Sequence, residues 1–265
     1  MPTQRAWAVF SPVKISTSDR RLINVPAILF WLTVWQLLAM AVGEEILLVS
    51  PAKVAVRLTE LLREKDYYMA IMFSAVRILS GFGLGVGLAI LFSVLSNRYE
   101  CIRILLKPLV SFLKATPVAS IVIVVLIWVS SKTLSVAVSF MMVFPIMYSS
   151  LLTGFDSVDG KLLEMCTVFR LSFSKRVRAV YLPAVLPQFI SSSVTAMGLA
   201  WKSGVAAEVI GLPDGSLGER LYEAKTYLAS ADVFALTVTI IAVSVAFEKL
   251  FSYLVKKLAV RYHAA

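Results

Sequence analysis

Two charged residues, Lys202 and Glu208, lie inside a long apolar stretch and are the first candidates for chemistry in this sequence. A lysine at membrane depth attracts anions, whereas a carboxylate at that depth needs hydrogen-bond donors or a cation. Six residues apart on a helix, the two side chains are about 240° apart around the axis and do not pair. Either Lys202 faces a pathway for an anion, or both residues sit near an interface or bond within a helix bundle.

No catalytic set is recognisable in the sequence. No segment matches the phosphate-binding pattern GxxxxGK[ST] or the nucleophile pattern GxSxG, and the chain has a single histidine. The two cysteines, Cys101 and Cys166, do not make a metal set with one histidine, and we expect no disulfide between them. We therefore expect no catalytic residue, metal site or cofactor in this chain, so that any ATP-driven step takes place in another chain.

A polar segment at 158–187 is predicted to form two short amphipathic helices. Asp159 is expected to cap the first helix, whose apolar residues recur at helical spacing: Leu162, Met165 or Cys166, Phe169 and Phe173. Ser174 is expected to cap the second helix and Pro183 to end it. Its basic side contains Lys175, Arg176 and Arg178, and its apolar side contains Val177, Val180 and Tyr181. These apolar stripes pack either on the chain's own spans and lipid or into a groove of a soluble partner.

The composition is that of a membrane protein. Hydrophobic residues make up 59% of the 265 residues and charged residues only 16%. Apolar runs of about 20 residues recur, which is the length that a bilayer core requires. We predict an all-α membrane protein with one transmembrane domain at 22–255 and cytoplasmic tails at 1–21 and 256–265. About six transmembrane helices are expected, at 22–42, 70–95, 115–131, 133–155, 189–210 and 233–255.

The net charge of +10 is explained by topology rather than by nucleic-acid binding. Most lysines and arginines fall in segments that this topology places in the cytoplasm, including the loop at 156–187, and both termini are then cytoplasmic. No basic face is interleaved with aromatic residues, so we expect no nucleic-acid partner. A cleaved signal peptide is the competing interpretation of 22–42, because Ala39-Met40-Ala41 resembles a cleavage site.

Small residues and prolines predict where the helices approach closely or break. The second span has two overlapping pairs of small residues at a spacing of four, formed by Gly81, Gly83, Gly85 and Gly87. Thr116-Pro117 predicts a break near the inner end of the third span. An external helix is expected to begin at Ser50-Pro51, and another at 217–228 in the last external loop.

The segment at 158–187 resembles the cytoplasmic loop of ABC-importer permeases. Their pattern is Glu-Ala-Ala, three residues, Gly, nine residues and Ile-x-Leu-Pro. Glu164, Val180 and Leu182-Pro183 stand at the Glu, Ile and Leu-Pro positions with the same offsets. Met165 and Cys166 replace the two alanines, and Arg170 replaces the glycine, where a small residue would allow a tight turn or close packing.

Further motifs extend the resemblance from about Trp35 to Leu254. WQLLA, SPAKV, SAVRILSGFGLG, KATPVAS and AWKSGVAAEVIG are similar to the sulfonate/nitrate/taurine branch of these permeases. The resemblance implies a type I ABC importer permease fold with a cytoplasmic coupling-helix pair, in the bacterial cytoplasmic (inner) membrane. It also implies three partners: a second permease, expected to be a copy of this chain, two ABC ATP-binding subunits that bind ATP and Mg²⁺, and an extracytoplasmic solute-binding protein.

The resemblance also implies which residues act. Contact with the ATPase is expected at Asp159, Glu164, Met165, Cys166, Phe169, Arg170, Ser174, Leu182 and Pro183. The translocation path is expected to involve Thr116, Trp128, Met141, Trp201, Lys202 and Glu208. The expected solute is a small organic anion of the sulfonate, nitrate or taurine type, and a thiamine-precursor-like pyrimidine or another aromatic solute is the alternative.

Two other function classes remain open from the sequence. An ion-coupled carrier or channel would need intramembrane carboxylates that can pair, and internal repeats, whereas only Glu208 is visible and no repeat is recognisable. A membrane enzyme or an assembly scaffold would need a catalytic set or a large soluble extension. A neighbouring gene for a P-loop ATPase, together with one for a secreted binding protein, would favour the importer.

Overall fold

Helices follow one another along residues 17–263, the part of the chain that the computed structural model describes. They are α1 (Thr17–Val42), α2 (Pro51–Leu61), α3 (Lys65–Arg98), α4 (Glu100–Ala115), α5 (Val118–Leu126), α6 (Ser131–Asp156), α7 (Gly160–Val168), α8 (Phe173–Arg176), α9 (Leu182–Gly211), α10 (Leu217–Thr226) and α11 (Ser230–His263). No strand is present in this range. The predicted all-α fold is therefore confirmed.

Four helical stretches are long and apolar enough to cross a bilayer: Lys65–Arg98, Ser131–Asp156, Phe173–Gly211 and Ser230–Val255. A fifth crossing is possible if α4 and α5, which meet at an angle of 108°, form one broken span. The first predicted span, 22–42, lies within the helix α1, which is not among these four stretches. A count of six spans thus stays a prediction.

The third span differs from the prediction in its limits. It was expected at 115–131, but α4 already begins at Glu100, and α5 ends at Leu126. Although α4 carries several charged residues, it is amphipathic and buries Leu106, Val110 and Leu113. The break itself is at Thr116-Pro117, as predicted, because a residue before proline is driven out of the helical region. It therefore lies within the helix pair and not near one end.

The middle of the bundle is formed by α6, which packs along both α3 and α9. Close approach to α3 depends on Gly81 and Gly85, since a methyl group at Gly85 would come within 2.8 Å of the Val143 side chain. Gly83 and Gly87 have open space around them, so this second pair makes no close helix contact among the described residues and its packing role stays a prediction. Their side of α3 faces away from α6.

The two ends of the bundle are built differently. The predicted external helices are present as α2 and α10, and both lie near the start of α11. Ser50 caps α2, accepting a hydrogen bond from the Lys53 amide at 3.4 Å, and Pro51 is its first residue. The short helices α7 and α8 lie at the opposite end, since α6 and α9 run between the two ends. This arrangement separates the two surfaces at which partners are expected.

Candidate functional site

The first helix of the polar segment, α7, is capped as predicted. The Asp159 carboxylate accepts a hydrogen bond from the Lys161 amide at 2.9 Å. Of the predicted apolar stripe, only Cys166 is buried, at 2% exposure. The rest of the predicted stripe is exposed, and so is Val168 beside it. We call these five exposed side chains the apolar patch: Leu162, Met165, Val168, Phe169 and Phe173. Glu164, the residue at the Glu position of the permease pattern, is also exposed.

Arg170 ends α7 in the left-handed conformation, with φ of 49°. Its amide donates to the Thr167 carbonyl at 3.1 Å, and the Leu171 amide donates to the Cys166 carbonyl at 3.0 Å. These two bonds are the Schellman arrangement, which satisfies the last carbonyls of a helix and favours glycine at the left-handed position. The permease pattern has glycine at this place, and the physical reason is visible here: the backbone turns left-handed.

The second helix begins two residues earlier than predicted and does not end at Pro183. It starts at Phe173 after Ser172, so Ser174 lies in its first turn and is not its cap. A π-helical turn at Val177–Tyr181 then leads directly into α9. A proline ring normally clashes with the carbonyl four residues back, and a wider turn relieves that clash. Pro183 is thereby accommodated within a continuous helix, Phe173–Gly211, of 39 residues.

The second helix packs against the chain's own spans. Val180 is buried, and the Tyr181 ring lies 6.0 Å from the ring of Phe155 at the end of α6. Arg176 donates a hydrogen bond to the Thr167 hydroxyl at 3.2 Å, which links the second helix to α7. The apolar side of the second helix therefore packs on the chain's own spans. The apolar patch, by contrast, is exposed in this chain.

The residues expected on the path are placed in three different environments. Trp201 is 1% exposed, stacks on Phe247 at 5.3 Å and donates to the Ile240 carbonyl, so it is a core residue. Met141 is half-buried against the core, and Thr116 is half-buried at the break between α4 and α5. Trp128 is 83% exposed. Lys202 is exposed, and it does not pair with Glu208.

Glu208 bonds within the bundle, which was the alternative to a pathway role. It is fully buried and accepts hydrogen bonds from the Ser74 hydroxyl at 2.6 Å and from the Gly218 amide at 3.4 Å. The Ser74 oxygen in turn accepts from the Leu217 amide at 3.0 Å. Burial takes Glu208 and Trp201 out of contact with any solute. Sequence analysis did not identify Ser74, because its partners are more than 130 residues away in the chain.

Arg57 connects α2 to the loops around α10. It is hydrogen-bonded to Asp232 at the start of α11 and to Glu60 at 2.8 Å. Both hydrogen bonds raise the pKa of Arg57, and the one to Glu60 has the larger effect. Glu64 also approaches Arg220 of α10 at 3.5 Å. A cleft of about 320 Å³ between these elements is lined by charged side chains of both signs.

Comparison with known proteins identifies the type of molecule. The family model for binding-protein-dependent transport system inner membrane components matches residues 81–260. A Bacillus subtilis permease protein named for aliphatic sulfonate transport is 26% identical over 80% of this chain and 76% of its own length. A bicarbonate transport system permease of Synechococcus elongatus is 24% identical, over 72% and 69%. The taurine transport system permease of Escherichia coli is 26% identical, over 66% and 60%.

Proposed function

The chain belongs to the family of binding-protein-dependent transport system inner membrane components, and from that premise we propose that it is the permease subunit of an ATP-driven importer for a small organic anion. Its membrane location follows from the family and from the apolar helices. The similarity to permeases named for sulfonate, taurine and bicarbonate transport supports the sulfonate/nitrate/taurine branch and an anionic solute.

The apolar patch on α7 supports coupling to a separate ATPase. Five large apolar side chains are exposed there beside Glu164, and an amphipathic helix of this kind fits a hydrophobic groove of a partner. We propose that two ABC ATP-binding subunits, which hold ATP and Mg²⁺, contact this patch on the cytoplasmic side. Of the residues predicted for this contact, Cys166 lies on the buried side of α7, so it packs α7 against the rest of the chain and does not touch the partner.

The continuous helix Phe173–Gly211 supports a mechanism for that coupling. Its first residue, Phe173, is 78% exposed and belongs to the apolar patch, while its remainder is the span that packs along α6. When an ATPase groove closes and moves the patch, a continuous helix transmits the movement to the bundle as a rigid body. Alternation between inward-open and outward-open arrangements would follow.

The opposite end supports contact with an extracytoplasmic binding protein. There, α2 and α10 are held together by Arg57, Glu64 and Arg220 and present charges of both signs. Electrostatic complementarity of such surfaces governs the rate and specificity of association. We propose that the binding protein docks here and delivers the solute. A second copy of this chain then completes the translocation path. The proposed path residues of each copy are Thr116, Trp128, Met141 and Lys202.

The test is to purify the chain in mild detergent with the proteins encoded next to it and to weigh the complex by native mass spectrometry. We expect two copies of this chain and two P-loop ATPase subunits. The accompanying binding protein is then titrated with taurine, an alkanesulfonate, bicarbonate and a thiamine-precursor pyrimidine, and binding of an anion is expected. A monomer without an ATPase would contradict the importer, and binding of the pyrimidine alone would contradict the anionic solute.

A further inference from the structure

A polar cleft runs between α4 and α6 on the side of the bundle where α7 lies. Its volume is about 340 Å³, within the range of small-molecule sites. From α4 it is lined by residues at helical spacing, including Arg103, Lys107, Ser111 and Lys114, and from α6 by Tyr148, Ser149, Thr153 and Asp156. Leu106, Val110 and Leu113 of α4 are buried next to this polar side, and Val110 itself lines the cleft.

Net positive charge in the cleft comes from two lysines. Arg103 is neutralised by Asp156, to which it donates two hydrogen bonds at 3.1 and 2.7 Å. Lys107 and Lys114 have no acidic partner within 4 Å among the described residues. Basic side chains that line a cleft without acidic partners raise the local concentration of anions. Two lysines without acidic partners are suited to an oxyanion.

The cleft ends where the helix pair breaks. Asp156, at the end of α6, marks one end of the cleft, and Lys114 is two residues before Thr116-Pro117. Beyond the break, Val122 of α5 packs with Leu134 and Val138, towards the other end of α6. The cleft therefore extends along α4 from Asp156 of α6 towards the break at Thr116-Pro117. Interrupted helices in membrane proteins are found where the backbone lines a cavity or a solute site.

We propose that this cleft is the inner part of the anion pathway, in which Lys107 and Lys114 hold the oxyanion group of the transported solute in turn. The two lysines are seven residues apart, which is about 10 Å along a helix. That separation provides two positions along the cleft, one at each ammonium group, for a passing oxyanion. Weak multiple sites allow a solute to leave as well as to enter. The inference rests on the proposed importer function.

The principal test uses the assembled importer in phosphatidylcholine vesicles. Uptake of labelled taurine, an alkanesulfonate and bicarbonate is compared for the wild type, K107Q/K114Q and K107R/K114R, with ATPase activity measured in the same preparations. Neutralisation is expected to lower uptake of the transported anion at least about tenfold, because a cleft with net positive charge raises the local concentration of an anion. The arginine variant retains the charge and is expected to recover most of the uptake. Lys65→Gln, at the exposed start of α3, is the matched control and is expected to transport normally.

A thiol-labelling test does not depend on transport. In a C101S background, which removes the exposed native thiol of α4, Ser111→Cys places a cysteine between the two lysines. Its labelling rates with a sulfonate-bearing and with a trimethylammonium-bearing methanethiosulfonate are compared. We expect the anionic reagent to be favoured, and K107Q/K114Q to lower the ratio of the two rates about tenfold.

These results separate the inference from the proposed function. If the wild type takes up an anion and K107Q/K114Q does so equally well, the inference is wrong while the importer stands. An equal loss of uptake in K65Q would also overturn the inference. The uptake assay is repeated in vesicles that contain anionic lipid, and a loss of uptake seen only there would overturn the inference by identifying a lipid headgroup as the ligand. If the wild type transports none of the anions, the proposed function fails, and the labelling ratio alone decides whether the cleft selects anions.

Discussion

At the scale of single residues, the buried contact of Glu208 with Ser74 is the most demanding interaction in the molecule. A buried carboxylate is stabilised by hydrogen bonds that replace water. Glu208 accepts them from the Ser74 hydroxyl and the Gly218 amide, both at Oε2, while its Oε1 has no partner among the described residues. Ser74 also accepts from the Leu217 amide, so one hydroxyl joins α3, α9 and the first turn of α10. We interpret Ser74 as the residue that positions α10 on the bundle.

Replacing Ser74 with alanine is expected to destabilise the protein. The substitution removes the donor to Glu208 and the acceptor for Leu217 together, and unsatisfied buried polar groups cost about 1–3 kcal/mol each. The midpoint of thermal unfolding in detergent, followed by tryptophan fluorescence, is expected to fall by about 3–10 °C.

Ser80 in the same helix is the matched control for Ser74. It is exposed, and its hydroxyl donates only to the Val76 carbonyl of its own helix at 2.6 Å. Ser80→Ala is expected to change stability by less than about 0.5 kcal/mol. Equal midpoints for S74A and S80A would show that the buried hydrogen bonds contribute little.

At the scale of elements, the helix pair depends on the turn between α7 and α8. The turn is tight because Arg170 is left-handed, and the Arg176–Thr167 hydrogen bond joins the two helices across it. A non-glycine residue in this conformation costs about 1–2 kcal/mol, which glycine avoids at some entropic cost in the unfolded chain. The Schellman hydrogen bonds therefore stabilise the turn, although arginine is less favourable than glycine at the left-handed position.

Arg170→Gly is expected to make this turn more resistant to proteolysis, with a local gain of up to about 1 kcal/mol. The measurement is the rate of limited digestion by chymotrypsin, whose aromatic targets Phe169 and Phe173 flank the turn and are unchanged by the substitution. Ser174→Gly serves as the opposite control, because Ser174 is helical and glycine there weakens the helix. Faster digestion of R170G than of the wild type would contradict the interpretation of the turn.

At the scale of the whole molecule, the bundle separates two functional ends. One end has α7 and the apolar patch together with the mouth of the cleft at Asp156, and the other has α2 and α10 with their network of charges. The distribution of lysine and arginine predicts that the α7 end is cytoplasmic. ATP-driven movement and solute release would then occur at the same end, and solute delivery at the other.

Cysteine labelling tests this orientation. Cys101 is exposed near the start of α4 at the α7 end, whereas Cys166 is buried and is expected to react slowly. A membrane-impermeant maleimide is expected to label Cys101 in inverted membrane vesicles and not in intact cells. An Asp214→Cys variant in a C101S background, with its thiol in the exposed loop before α10, is expected to show the reverse. Labelling of Cys101 from outside the cell would reverse the proposed topology.

Patterns within a few residues of the chain are enough to predict several features of this protein. Apolar runs predicted the helices, and capping residues such as Ser50 and Asp159 predicted where two of them begin. Those features follow from hydrogen bonding and hydrophobic spacing within a few residues of the chain. The ordered motifs predicted the family and its branch, which the comparisons confirm.

Only the tertiary structure decided how those helices are joined and which side chains meet. Pro183 continues a helix because a π-helical turn makes room for its ring, and the charged α4 belongs to the bundle because its apolar side is buried. The partners of Glu208, the open space beside Gly83 and the cleft with Lys107 are set by helices distant in the chain. Packing between such helices depends on shapes and distances that no local pattern of residues contains.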